Sequence, residues 1–215
     1  MDKRTRRFIV YAIGMLVLAL GLTLNIKANL GVSPIISVPY SISQITGYNF
    51  GDLTFVVYAI FVVVQIGIHV KLKKNNKIVS DVLQLPLSLV FTRLLNIFSV
   101  YIPTSQNLGI RFIVLAFAII CTGIGAAMSL SMQFVPNPGD GIVQALAERF
   151  NKSVGLTKNL FDCFNLCITL CISIFIAHQI VGVGIGTVIA VLGVGRVIAL
   201  FHHIFESKIE ELNCE

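Results

Sequence analysis

Asp162 interrupts a long apolar run, with Asn165, Thr169 and Ser173 following at helical spacing. A carboxylate inside a membrane span costs at least about 2 to 3 kcal/mol and usually faces a partner or water, so Asp162 could couple protons to the movement of a solute. Two cations sit in comparable places. Arg93 and Arg196 each lie about four residues, roughly 6 Å, from the centre of an apolar stretch. Together they could attract an anion from either face of a membrane; alternatively each reaches its nearer surface or pairs with a carboxylate such as Asp162. A third group of residues opens two short apolar segments. Ser33-Pro34 and Asn137-Pro138 combine a side chain suited to cap a helix with a proline suited to its first turn. A helix start of this kind aims unpaired N–H groups and a positive dipole end at an anion or at the negative end of a polar solute. Asp140, three residues after Asn137, either caps its own helix or faces the solute.

Polar residues also recur along the flanking stretches. Thr54, Tyr58, Gln65 and His69 share one helical face, and Asp81, Gln84, Ser88 and Thr92 share another. Such seams line a cavity or join helix to helix. Cys163, Cys167 and Cys171 share a face with no zinc-type spacing, and are read as small apolar residues. His202, His203 and Glu206 are read as interfacial residues at a helix end. No metal or cofactor is expected. Neither H-E-x-x-H, G-x-S-x-G, a Walker loop nor a dinucleotide fingerprint is present, so the chain is not read as an enzyme.

The elements that must position these residues follow from composition. The chain is 56% hydrophobic and 12% charged, with mean hydropathy +0.89, against about a quarter charged in soluble domains. It reads as an integral, all-α membrane protein with the lipid bilayer as its first partner. Runs near 8–26, 53–70, 79–100, 110–132, 155–177 and 181–203 approach or exceed the ~20 residues that cross a bilayer. The first run is too long for a signal-peptide core and is read as a retained helix. The net charge of +6 does not point to nucleic acid, because the basic residues gather at span ends.

The sequence is one unit written twice. Arg7-Phe8-Ile9-Val10 recurs as Arg111-Phe112-Ile113-Val114, and the same offset of 104 pairs Gly21 with Gly125, Pro34 with Pro138 and Tyr58 with Asp162. Residues 1–104 form the first membrane repeat, 105–205 the second, and 206–215 a cytoplasmic tail. With both termini inside, twelve of the 16 lysines and arginines fall on the cytoplasmic side. Segments 34–46 and 138–150, about 19 Å of helix each, are too short to cross. They are expected to be short re-entrant helices that enter and leave by one side, or else helices lying flat on the surface. Three crossings per repeat make the second copy inverted, which in transporters brings the substrate site to the repeat interface near mid-membrane. Glycines 182, 184, 186, 193 and 195 are expected to form a small face on the last span, and such faces make a homodimer plausible.

Leu30-Gly31-Val32-Ser33-Pro34, Gly51-Asp52 and the segment from Gly184-Ile185-Gly186-Thr187 to Gly195-Arg196 resemble the YczE and YitT type of bacterial polytopic membrane protein. The resemblance implies the bacterial plasma membrane and supplies no substrate. Where that pattern has Trp-Asp after Ser-Pro, this chain has Ile35-Ile36, and only the second copy keeps an acid, Asp140. The leading expectation is a transporter or channel for a small polar or anionic solute, with Ser33, Pro34, Tyr58, Arg93, Asn137, Pro138, Asp140, Asp162 and Arg196 as candidate binding residues. The alternative is a scaffold or regulatory subunit that moves nothing.

Overall fold

A computed structural model describes residues 2–213, with side chains described for 2–205 and 209; Glu206 and Cys214 lie outside the described side chains. Among the described residues the chain is all helix, in the order α1 (Lys3–Ala28), α2 (Pro34–Thr46), α3 (Phe50–Lys71), α4 (Asn75–Tyr101), α5 (Leu108–Ser131), α6 (Pro138–Phe150), α7 (Val154–Ile172, continued by a π turn Ser173–Ala177) and α8 (Ile185–Asn213). Six of these helices are long and apolar enough to cross a membrane, and α2 and α6 are not among them. The protein is a multi-pass membrane protein. Helix starts follow local capping chemistry. Asn49 accepts from Asp52 N–H, Asn107 from Gly109 and Ile110, Asn137 from Gly139 and Ser153 from Leu156. The last span begins at Ile185, later than expected. Gly182, at φ +80°, and Gly184 belong to the loop before it and not to a helix face.

Packing divides the chain into two compact units, each drawn from separate stretches of sequence. One unit comprises Met1–Ser33, Leu94–Phe134 and Gly184–Glu215; the other comprises Pro34–Arg93 and Val135–Val183. Each unit therefore takes helices from both halves of the chain.

In the first unit α1 runs antiparallel to α5. Glycines remove the side chains between them, so a Cβ on Gly21 would collide with the backbone N of Thr122, and one on Gly125 with that of Leu18. At the two ends of this seam, Arg7 Nη2 donates to Met132 O at 2.7 Å and Arg111 Nε donates to Ala28 O at 2.9 Å, with Arg111 also reaching Asn29 O. Each arginine thus occupies carbonyls left open at the other helix's C-terminus, where a positive charge also suits the dipole. α8 packs on α5 through Gly123 against Val197 and Gly193 against Ile119, beside an apolar cluster of Ala28, Leu115, Ile119 and Ala190. Gly31, at φ +107°, lets the chain turn after α1, and a Cβ there would stand 2.5 Å from Gly184 N. Gly186 N–H closes the contact on Leu30 O at 2.7 Å.

In the second unit the two short helices lie beside long ones. α2 follows the latter part of α7, with Ser37 Oγ 2.7 Å from Thr169 Oγ1 and Ser41 Oγ 3.0 Å from Ser173 Oγ. α6 follows the latter part of α3. Gln65 Nε2 donates to Pro138 O at 3.3 Å, Gly141 lies against the Gln65 and Gln84 amides, and Glu148 is held by Lys74 and Lys77.

The offset that relates the sequence also relates these contacts. Arg7 to Met132 is exchanged with Arg111 to Ala28, Gly21 to Thr122 with Gly125 to Leu18, and Ser37 to Thr169 with Gly141 to Gln65.

Candidate functional site

The second unit turns its polar residues inward. Thr54, Tyr58, Gln65 and His69 on α3, Asp81, Gln84, Ser88 and Thr92 on α4, and Asp162, Asn165, Thr169 and Ser173 on α7 with its π turn are all buried. The faces that look outward carry Val56, Ile60, Val63, Val79, Val90 and Phe164, all exposed. In hydrocarbon this pattern is favourable, because an apolar surface meets lipid and each polar group must find its partner inside.

Most of them do. His69 Nδ1 and Asp81 Oδ2 are 2.6 Å apart. Gln65 and Gln84 exchange amide hydrogen bonds of 3.2 and 2.9 Å. Hydroxyls and one amide return to their own helix, as Thr54 does to Phe50 O, Ser88 to Leu85 O and Asn165 Nδ2 to Phe161 O.

Two buried atoms do not. Asn137 is 5% exposed; its Oδ1 accepts from Gly139 N–H at 3.0 Å, which fixes the amide and leaves Nδ2 without a well-formed hydrogen bond, with only the Tyr58 hydroxyl near it. Asp162 is 6% exposed; its Oδ2 lies 3.9 Å from Lys158 Nζ, and its Oδ1 has no partner. An unpaired buried polar atom costs on the order of 1 to 3 kcal/mol, so this is where the unit is short of a hydrogen-bonding group. Tyr58, stacked on Phe91 with ring centroids 6.4 Å apart, places its hydroxyl beside the Asn137 amide. Asp140, half-buried, is near enough for its charge to act on both Tyr58 and Asp162, and Lys158 acts on both carboxylates.

The cluster holds two carboxylates against one ammonium. The start of α6 has no N–H to offer: Pro138 lacks one, Gly139 N–H is taken by Asn137 Oδ1, and Asp140 and Gly141 N–H both donate to Asn137 O, at 2.9 and 2.8 Å. The expected attraction of an anion to this helix terminus is therefore spent within the cap.

Five of the nine sequence-derived residues, Tyr58, Asn137, Pro138, Asp140 and Asp162, come together here. Pro34 is buried at the start of α2, with Ser37 Oγ bonded to its carbonyl at 2.7 Å. Ser33 belongs to the first unit, its N–H donating to Asn25 Oδ1 at 2.7 Å. Arg93 stands at the surface, 2.9 Å from Asp52 Oδ1 with both side chains 56% exposed, which is the carboxylate-paired alternative with a different carboxylate. Arg196 is exposed on α8 in the first unit. Sequence reading passed over Lys158, although its i, i+4 spacing from Asp162 was a visible signal. Cys163, Cys167 and Cys171 are exposed on α7, and among the described residues no three His, Cys, Asp or Glu side chains are placed to hold a metal ion.

Residues 5–203 match the model of a family described as a family of unknown function, DUF6198. The chain belongs to that family. No curated protein and no solved structure matches it. Membership of DUF6198 carries no activity with it.

Proposed function

We propose that the protein is a transporter or channel for a small polar solute, acting in the bacterial plasma membrane through an inverted repeat with two re-entrant helices. The observation that carries this reading is two buried polar atoms of the second unit that lack a well-formed hydrogen bond, Asn137 Nδ2 at the start of α6 and Asp162 Oδ1 on α7. A solute that carries an acceptor for the first and a donor for the second, such as an amide or a polyol, completes both. The excess of carboxylates favours a neutral or cationic solute over the anion that the sequence also allowed.

The course of the short helices supports re-entry. α6 starts beside Tyr58, near the middle of α3, and ends beside Lys74, just past the end of α3. Its roughly 19 Å is more than half of a hydrocarbon core about 30 Å thick. α2 follows α7 in the same way from Ser37 to Ser173 and beyond. Inversion is supported by the antiparallel α1 and α5 and by contacts that exchange under the 104 offset. The basic α3–α4 loop then faces the cytoplasm, with both termini on the same side. Movement, where alternating access requires it, leaves the α1–α5 seam intact, because Gly21 and Gly125 bring backbone directly against backbone there.

A specific observation favours a second reading, a scaffold or regulatory subunit. The seams of α3, α4 and α7 are largely closed by their own hydrogen bonds, as a sealed bundle requires. Flux into proteoliposomes separates the two. Urea, glycerol and methylammonium are expected to enter faster than acetate, and Asp162→Asn or Asn137→Ala is expected to lower the flux about tenfold, the loss of one buried charge-assisted hydrogen bond. Unchanged flux in both variants removes the site. No flux of any solute removes transport and leaves the scaffold.

A further inference from the structure

Between α3, α6 and α7 the second unit carries a groove of about 620 Å³ that is apolar along almost its whole length. Ile60, Phe61, Val64, Leu146, Phe161 and Phe164 are among its walls, and Lys152 and Thr157 are its only polar side chains. Next to it lies a smaller, polar recess of about 360 Å³, formed by Gln144, Glu148, Asn151 and Lys152 with Ala147 and Val154. The two share Lys152. A long greasy groove joined through one ammonium to a polar recess has the outline of an amphiphile.

We propose that this is a seat for an anionic glycerophospholipid, with one acyl chain in the groove and the phosphate on Lys152. Three observations choose this occupant. The groove is open on the lipid-facing side of helices that cross the membrane, where Ile60, Leu160 and Phe164 are each more than half exposed, so acyl chains are what surrounds it. Lys152 follows the C-terminal end of α6, at the end of the bundle where Lys71, Lys73, Lys74 and Lys77 also gather, the level at which headgroups lie. The carboxylate that would repel a phosphate is already neutralised, since Glu148 is held by Lys74 at 2.7 Å and Lys77 at 2.5 Å, while among the described residues Lys152 has no carboxylate within ion-pair distance. Basic recesses between spans are known headgroup sites, each lysine contributing enough for about a fivefold preference. This inference is independent of whether the protein transports anything.

The chain has no tryptophan, so a single Phe164→Trp substitution at the groove wall reports on it alone. In the purified full chain, brominated phosphatidylglycerol is expected to quench this residue with about a fivefold higher relative binding constant than brominated phosphatidylcholine. Lys152→Glu is expected to erase the preference. Leu160→Trp, at another exposed wall position, serves as a second reporter should the first fail to fold, and Ile113→Trp on α5 serves as the control outside the groove. Equal constants for the two lipids at the groove reporters, a preference that survives Lys152→Glu, or the same preference at Ile113→Trp overturns the proposal.

Discussion

Asn137 shows how one residue can settle what a helix terminus is able to bind. Its side-chain oxygen and its carbonyl take all the N–H groups at the start of α6, leaving its amide nitrogen as the donor that faces the interior. The sequence made Asn137 a cap; that the cap exhausts the terminus depends on the turn it adopts. At the other end of α6, Glu148 is governed by opposing influences. Burial pushes its carboxyl up, but hydrogen bonds and charge from Lys74 and Lys77 outweigh this and hold it below the ordinary value of 4.5. A carboxyl depressed in the folded state contributes stability that is present above its unfolded pKa and is lost as pH falls through the folded one. Hydrogen exchange at residues 147–152 is therefore expected to slow less and the tie to the α3–α4 loop to weaken once the pH drops below about 4.5, and Glu148→Gln should remove that dependence. A pH profile shared by the variant and the parent protein would show that the pair of lysines does not set it.

Elements here are joined by the absence of side chains as much as by their presence. Gly21 and Gly125 occupy repeat-related positions, and each touches backbone of the partner helix, which cannot yield as a flexible side chain would. Gly21→Ala and Gly125→Ala are each expected to destabilise the α1–α5 pair by about 1 to 3 kcal/mol, the usual cost of overpacking. Their effects should be similar, because the offset exchanges the two contacts. Thermal unfolding in detergent would test this; one variant at parental stability would break the equivalence. α8 marks where sequence reading of elements went astray. A run of glycines looked like the face of a span, but positive φ at Gly182 breaks the helix, and the span starts at Ile185, where Gly186 can bond Leu30 O. Helix and glycine loop have the same hydropathy, so periodicity did not separate them.

At the scale of the whole molecule, the two halves of the sequence and the two packed units are different partitions. The two halves meet inside both units, through α1 with α5 in one and through α2 with α7 and α6 with α3 in the other. The proposed topology has a direct test. With Cys214 replaced, a membrane-impermeant thiol reagent is expected to label Lys74→Cys from the cytoplasmic side and Lys27→Cys from the opposite side. Labelling of both from one side would end the inverted arrangement.

Six membrane-length helices, two short proline-led helices and the 104-residue offset were all readable in the chain, because length, apolar runs and prolines act locally. Tyr58, Asn137, Pro138, Asp140 and Asp162 were legible as a group for the same reason, being polar or helix-starting residues in apolar surroundings. Folding alone decided that Arg93 would be spent on Asp52, that Lys158 would join the carboxylates, and that Asn137 Nδ2 and Asp162 Oδ1 would be buried in the second unit without a well-formed hydrogen bond. Pairing is a matter of which side chains arrive within about 3 Å of one another, and no spacing along a chain specifies that until the helices have packed.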